Sequence, residues 1–314
     1  MNSNIKINSG NKWIFLTLFL ALLAIFSNIG AWFISKDLSG GYNVDGNIAV
    51  IPLSGLILTE PSNSFLGDEV TASNDVLKYI DMANKNSNIK AILFEINSPG
   101  GSPVASKEIA DAIQRSKKKT YSLIRDVGTS GAYWIASATN KIIANEMSIT
   151  GSIGVISSYI DFSGLLNNYN VTYNRLVAGK YKDVGSPFKK LEYDEKLLIE
   201  KQLTLIHGYF ISAVAKNRNL SESEVRNIAT GMYFIGVEAK KLGLIDVLGD
   251  KYTLEKLLKE ELNVSSISYN YYSKSKSIFD IFSKTFAEQS FYIGKGIGSQ
   301  FAHESLYSDS IVRT

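Results

Sequence analysis

The chain contains no cysteine, which excludes disulfide frameworks, zinc thiolate sites and cysteine nucleophiles together. It leaves the redox compartment open. Histidine is nearly absent as well: His207 and His303 are the only two in 314 residues, and neither forms a metal-type pair such as HExxH. A metal site is therefore not expected. His207 falls in a long amphipathic stretch and reads as a packed or surface helix histidine, whereas His303 lies in a polar tail. Charge of one sign is also missing, because 33 basic residues nearly balance 30 acidic ones for a net +3. The run Lys117-Lys118-Lys119 closes a helical pattern, where cations suit the helix dipole. With no larger basic cluster, nucleic acid is not expected as a partner.

What is present is apolar. Hydrophobic residues make up 45% of the chain and charged ones 20%, enough for a packed core. Residues 13–34, WIFLTLFLALLAIFSNIGAWFI, carry no charge. As a helix rising about 1.5 Å per residue they reach roughly 30 Å, the thickness of a bilayer's hydrocarbon core. Trp13 and Trp32 sit where interface aromatics sit; Lys6 and Lys12 precede the run, and Lys36 and Asp37 cancel after it. The positive-inside rule then leaves residues 1–12 in the cytoplasm and puts everything beyond the run on the outer side. The run is longer than a usual signal-peptide core, although Ser27, Asn28, Gly30 and Ala31 supply small residues for cleavage. We read it as an uncleaved signal anchor of the cytoplasmic membrane, with 35–46 as a linker.

Strand and helix patterns alternate beyond the linker. Apolar runs predict strands at 47–58 (with a turn inside), 90–96, 120–125, 141–144, 154–160 and 172–177. Helical periodicity predicts helices over 72–84, 105–118, 130–138, 192–217, 221–229 and 253–261. This alternation defines an α/β domain, 47–263, with substantially parallel pairing. The tail, 264–314, is rich in Ser, Tyr and Lys. Within it, 277–294 reads either as a weak amphipathic helix in a disordered tail or as a segment that rests on a membrane or a neighbouring subunit.

Three glycine-rich breaks follow strand candidates: NSPGGSP (97–103), VGTSGAYW (127–134) and TGSIGV (150–155). Ligand loops of open α/β folds cluster where parallel strands end. In the first, Gly100 and Gly101 let bare backbone approach a ligand, and their N–H groups suit a developing oxyanion. In the second, Ser130 opens a helix, a position that serves equally as an N-cap or as a nucleophile beside the Gly131 N–H. With no histidine near these motifs, the base for such a serine would be a lysine. Its pKa must then fall by roughly three units from about 10.4, a cost of about 4 kcal/mol. Lys180 and Lys182, in AGKYKDVGSPF, are both candidates.

The ordered set NSPGG, SGAYW, TGSIGV and KYKDVGSPF, closed by GMYFIGVEAKKLGLIDVLGD (231–250), resembles the signal peptide peptidase A family, in its short bacterial form, across about residues 47–250. The resemblance implies a crotonase-like, caseinolytic-protease-like α/β fold behind an N-terminal transmembrane helix. It implies a serine–lysine peptidase that uses no cofactor, with Ser130 as nucleophile, Lys182 as general base and Ser152 orienting that lysine. Gly100 and Gly131 would form the oxyanion hole. Assembly into rings or domes with composite active sites is implied too, as are remnant signal peptides and other apolar peptides as substrates. The sequence departs from the family pattern around the serine, where Gly128, Thr129 and Ala132 stand in place of alanines before it and a second glycine after it. A related protease acting on intact or misfolded membrane proteins, an acyl-CoA enzyme of the crotonase type, and a non-catalytic scaffold are the competing readings. The outward topology disfavours the second, and the retained Ser130, Ser152 and Lys182 disfavour the third.

Overall fold

A computed structural model describes residues 17–23, 25, 27, 46–61, 70–273, 292 and 295. The chain divides into two units, Met1–Tyr42 with Lys274–Thr314, and Asn43–Ser273. In the first, α1 covers 17–23, with 25 and 27 also helical, and exposes Leu18, Phe19, Leu20, Leu22, Leu23 and Ile25. The rest of the expected 13–34 span lies outside the described residues, as does most of 277–294. Among the described residues no helix is long and apolar enough to cross a membrane.

The second unit is built on one sheet of β1 (Ile48–Leu58), β2 (Val70–Ala72), β3 (Ala91–Gly101), β4 (Lys119–Thr129), β5 (Lys141–Ala144), β6 (Ile149–Gly151), β7 (Tyr233–Ile235), β8 (Val247–Leu248) and β9 (Tyr269–Tyr271). The spine runs β2-β1-β3-β4-β5-β8; β6 extends β4, β9 flanks the start of β1, and every pairing is parallel except β6 with β7. Parallel strands need crossovers, and helices supply them: α2 (Ser73–Lys85), α3 (Pro103–Gln114), α4 (Gly131–Ser137), α5 (Ser163–Asn168), α6 (Tyr193–Arg218), α7 (Glu222–Ile228), α8 (Gly236–Lys241) and α9 (Lys251–Leu262).

The strands read as continuous apolar runs because both sheet faces are buried. Side chains alternate, so Ala49, Ile51, Leu53, Ile92, Phe94, Ile96 and Ile142 join a large cluster with α2, α3, α4 and α6. Ile48, Val50, Ala91, Leu93, Tyr121 and Ile143 point the other way, onto Leu254 and Leu258 of α9. The strand expected at 141–144 is found with those limits, and 90–96 continues through NSPGG to Gly101. The strands expected at 154–160 and 172–177 are not strands; both stretches lack regular structure. Their apolar residues face solvent, Ile156 at 89% and Leu176 at 95% exposure, and no neighbouring strand pairs with them in the single chain. In α6 the C-terminal Phe210, Ile211 and Val214 are buried, while Leu197 and Leu198 near its start are exposed. β9 lies within the stretch read as tail, and it pairs through Tyr269, Asn270 and Tyr271 with Ile48, Ala49 and Val50.

Candidate active site

The glycine-rich breaks converge at the C-terminal ends of β3, β4 and β6. Bulge-like register shifts fall at Ser54/Leu56 between β1 and β3, and at Ile96/Ser98 between β3 and β4. They turn the NSPGG segment towards the start of α4. Gly100 holds φ +104°, and a Cβ there would meet the Gly131 nitrogen at 2.7 Å and the Ser130 Cβ at 2.9 Å. Its own N–H donates to the Ser98 hydroxyl at 3.1 Å, and that hydroxyl donates onward to the Gly55 carbonyl at 2.6 Å. Gly100 is thus beside Ser130, with its amide already engaged. The next amide is better placed: the Gly101 nitrogen lies 3.2 Å from where a Cβ on Gly131 would stand, and Gly101 lines the cavity.

Ser130 sits between β4 and α4 with φ 53° and ψ −125°. A non-glycine residue in such a region costs roughly 1–3 kcal/mol and persists only where its surroundings enforce it. Here they do. The Ser130 N–H donates to the Gly151 carbonyl at 2.8 Å, and its carbonyl accepts from the Trp134 N–H at 3.0 Å. Its side chain makes no capping hydrogen bond to α4. The local sequence suits an N-cap, but the hydroxyl does not cap the helix amides. The short helix behind it is fully buried. Tyr133 hydrogen-bonds the Leu244 carbonyl at 2.8 Å, and Trp134 stacks on Phe210 with ring centroids 4.7 Å apart. The bidentate pair of Arg218 and Asp246, at 2.9 and 2.8 Å, ties α6 to the turn that receives Tyr133. Burial pushes the Tyr133 phenol well above its ordinary pKa.

Ser130 opens into a cavity of about 560 Å³. Gly101, Gly131 and Ser152 share its polar end, while Trp134, Val155, Ile156, Ile206 and Phe210 supply apolar wall. Ser152 has φ 51°; its hydroxyl donates to the Gly231 carbonyl at 2.9 Å and its N–H to the Met232 carbonyl at 3.1 Å. The hydroxyl's lone pairs remain available to a donor such as an ammonium group. Four of the five residues singled out in the sequence, Ser130, Gly131, Ser152 and Gly100, therefore meet here.

Lys182 does not meet them in the single chain. It is exposed, in the turn after Gly179, and it is not part of the cavity wall. Its neighbours are firmly tied: Arg175 holds Asp183 at 2.5 and 2.8 Å, and Lys189 bridges to Glu195 at 2.5 Å. The Arg175 hydrogen bonds hold the Asp183 carboxyl below its ordinary pKa, and Lys189 does the same for Glu195. Lys180 pairs with Asp194 at 2.7 Å, whereas Lys182 has no ion-pair partner among the described residues.

Two wall residues were underweighted in the sequence: of the NSPGG pair, the resemblance favours Gly100, whereas it is Gly101 that lines the cavity. His207, read as a packed or surface histidine, is half-buried in the cavity wall. The signal was the helical stripe Leu203, His207, Phe210, Val214, which puts His207 on the face that carries the buried phenylalanine.

A strained, uncapped serine at a strand-to-helix turn, with glycine amides opposite and a partly apolar cavity in front, defines the class: an α/β protein laid out for serine-type hydrolysis. The comparisons agree. The profile of "Peptidase family S49" matches residues 112–265, and that of "Clp protease" matches residues 57–150. A protein of Methanocaldococcus jannaschii, named for an expected protease activity, is 30% identical over 94% of this chain and 96% of its own length. An Enterococcus faecium protein, named for an expected signal peptide peptidase SppA activity, is 33% identical over 68% of this chain and 63% of its own length. Protease 4 of Haemophilus influenzae is 32% identical over 66% of this chain, which spans 34% of that larger protein. The chain belongs to peptidase family S49, the family of signal peptide peptidase A and protease 4, and is a serine peptidase of that family.

Proposed function

We propose that the chain is a membrane-anchored serine endopeptidase that cleaves remnant signal peptides and other apolar peptides at the outer face of the cytoplasmic membrane. The observation that carries this reading is Ser130 itself, strained and free of its helix, at the mouth of a cavity walled by Trp134, Ile206 and Phe210. Ser130 Oγ attacks the peptide carbonyl while a neutral Lys182 Nζ takes its proton. The N–H groups of Gly131 and Gly101 receive the oxyanion. Lys182 protonates the departing amine, then activates the water that releases the acyl group. Ser152 accepts a hydrogen bond from the lysine and orients it.

Since the single chain leaves Lys182 outside the cavity, we place its delivery at an interface between copies. The support is the exposed apolar surface of the same region: Ile156, Leu176, Tyr169 at 74%, Tyr193 at 76% and Tyr209 at 68% exposure. Burying such a surface against a second copy would also dry the site, which a neutral lysine needs. Anchoring rests on the uncharged run 13–34 and raises the local concentration of membrane-borne peptides. The test is turnover of an apolar peptide by the full chain. Ser130→Ala and Lys182→Ala are each expected to lose at least about 10³-fold in kcat. Wild-type turnover in either variant removes that residue from the mechanism.

A further inference from the structure

Among the described residues, His207 is the one imidazole, and the one ionisable side chain, in the cavity wall. Within the single chain the elements that meet it there bring no carboxylate, lysine or arginine; the one further cation would be the Lys182 that the mechanism above places beside Ser152. α4 contributes Gly131 and Trp134, the 152–156 segment contributes Ser152, and 229–231 contributes Thr230. Tyr133, the one other titratable group of α4, is fully buried and hydrogen-bonded to Leu244. His207 lies one helical turn from Phe210, which stacks on Trp134, so its imidazole borders the apolar wall. Its Nε2 is 3.3 Å from the Ile153 carbonyl. A carbonyl only accepts, so Nε2 carries the proton in that contact. The same carbonyl accepts the Gly231 N–H at 3.1 Å, which fixes the chain segment next to Ser152.

We propose that His207 is the specificity-determining residue of this cavity, selecting the substrate side chain seated against it. Neutral imidazole admits an apolar side chain beside Trp134 and Phe210. Imidazolium puts a lone positive charge into a wall that has no counter-charge, which a substrate carboxylate satisfies and a lysine side chain repels. The inference rests on the peptidase reading above and names the substrate chemistry of that site.

The test uses the full chain and three quenched peptides that differ only in Leu, Glu or Lys next to the scissile bond, with kcat/KM measured at pH 5.5 and pH 8. For the wild type, the Glu-to-Leu ratio is expected to rise about tenfold at pH 5.5 and the Lys-to-Leu ratio to fall. In His207→Phe and His207→Gln both ratios become independent of pH. Ratios cancel any general loss of activity, and equilibrium binding of the same peptides to the Ser130→Ala chain repeats the comparison without turnover. A wild-type ratio that does not change with pH, unchanged pH dependence in both variants, or complete loss of turnover in both overturns the proposal. If Ser130→Ala still cleaves, the peptidase mechanism fails instead, and the two failures are told apart.

Discussion

Ser130 occupies a backbone conformation that serine tolerates poorly and glycine tolerates well, so its presence there is a cost to folding. Ser130→Gly is expected to be more stable than Ser130→Ala by about 1 kcal/mol, the relief of strain less the extra chain entropy of glycine. Both variants are expected to be inactive. Denaturant melts check the difference, and an alanine variant at least as stable as the glycine variant contradicts the strain. The role proposed for Ser152 is different, since its hydroxyl already donates to Gly231 and is left to accept from a lysine. Ser152→Ala is expected to lower kcat by about 10²-fold with little change in KM, the size of loss that accompanies a misplaced reacting group. A rise in KM with kcat intact points to substrate binding instead.

The elements that hold the site were unevenly legible. Strands β1, β3, β4 and β5 announced themselves because burial on both faces makes them continuous apolar runs. The candidate serines and glycines stood out as motifs in order, and the fold brings them near one another because parallel strands end together. The segment 152–191 misled, because apolar residues in short runs look like strands whether a sheet or a second molecule covers them. Two- and three-residue strands such as β8 and β9 leave too little pattern to read. That Ser130 is uncapped is a fact of φ and ψ, which residue types at a strand-to-helix junction do not reveal. Two elements invite direct test. Arg218, with 7% of its side chain exposed, holds Asp246 and the Gly243 carbonyl. Arg218→Ala leaves that carboxylate without its counter-charge, held only by the Ile142 N–H, with an expected loss of about 3 kcal/mol in chemical denaturation. The turn bearing Lys182 depends on carboxylates whose pKa values are lowered by Arg175, Lys180 and Lys189. A lowered folded pKa means that the stabilisation is present above the ordinary carboxylate range, about pH 4, and is lost as pH falls through the lowered values. Hydrogen exchange, corrected for intrinsic rate, is expected to accelerate in 175–195 as the pH falls below about 4, before it does in β3 and β4. Simultaneous acceleration contradicts a separately held turn.

For the molecule as a whole, the central tension is that Ser130, Gly131 and Ser152 line one cavity, with Gly100 beside them, while Lys182 stands in solvent. Delivery by a second copy predicts complementation: Ser130→Ala and Lys182→Ala chains, each inactive alone, recover a measurable fraction of wild-type activity when mixed and reassembled. No recovery in verified mixed assemblies means that each chain completes its own site by closing the 179–186 turn. If that exposed surface joins copies, charge introduced at Leu176 or Tyr209 is expected to dissociate the proposed assembly and lower kcat together, as sedimentation and turnover measured on one sample will show. Beneath both outcomes lies the claim that Ser130 is an activated nucleophile. Labelling the full chain with a fluorophosphonate and mapping the adduct by mass spectrometry tests it most directly. One adduct is expected, on Ser130, absent from Ser130→Ala and strongly slowed in Lys182→Ala. An adduct on another residue, or undiminished labelling of Ser130→Ala, would contradict it.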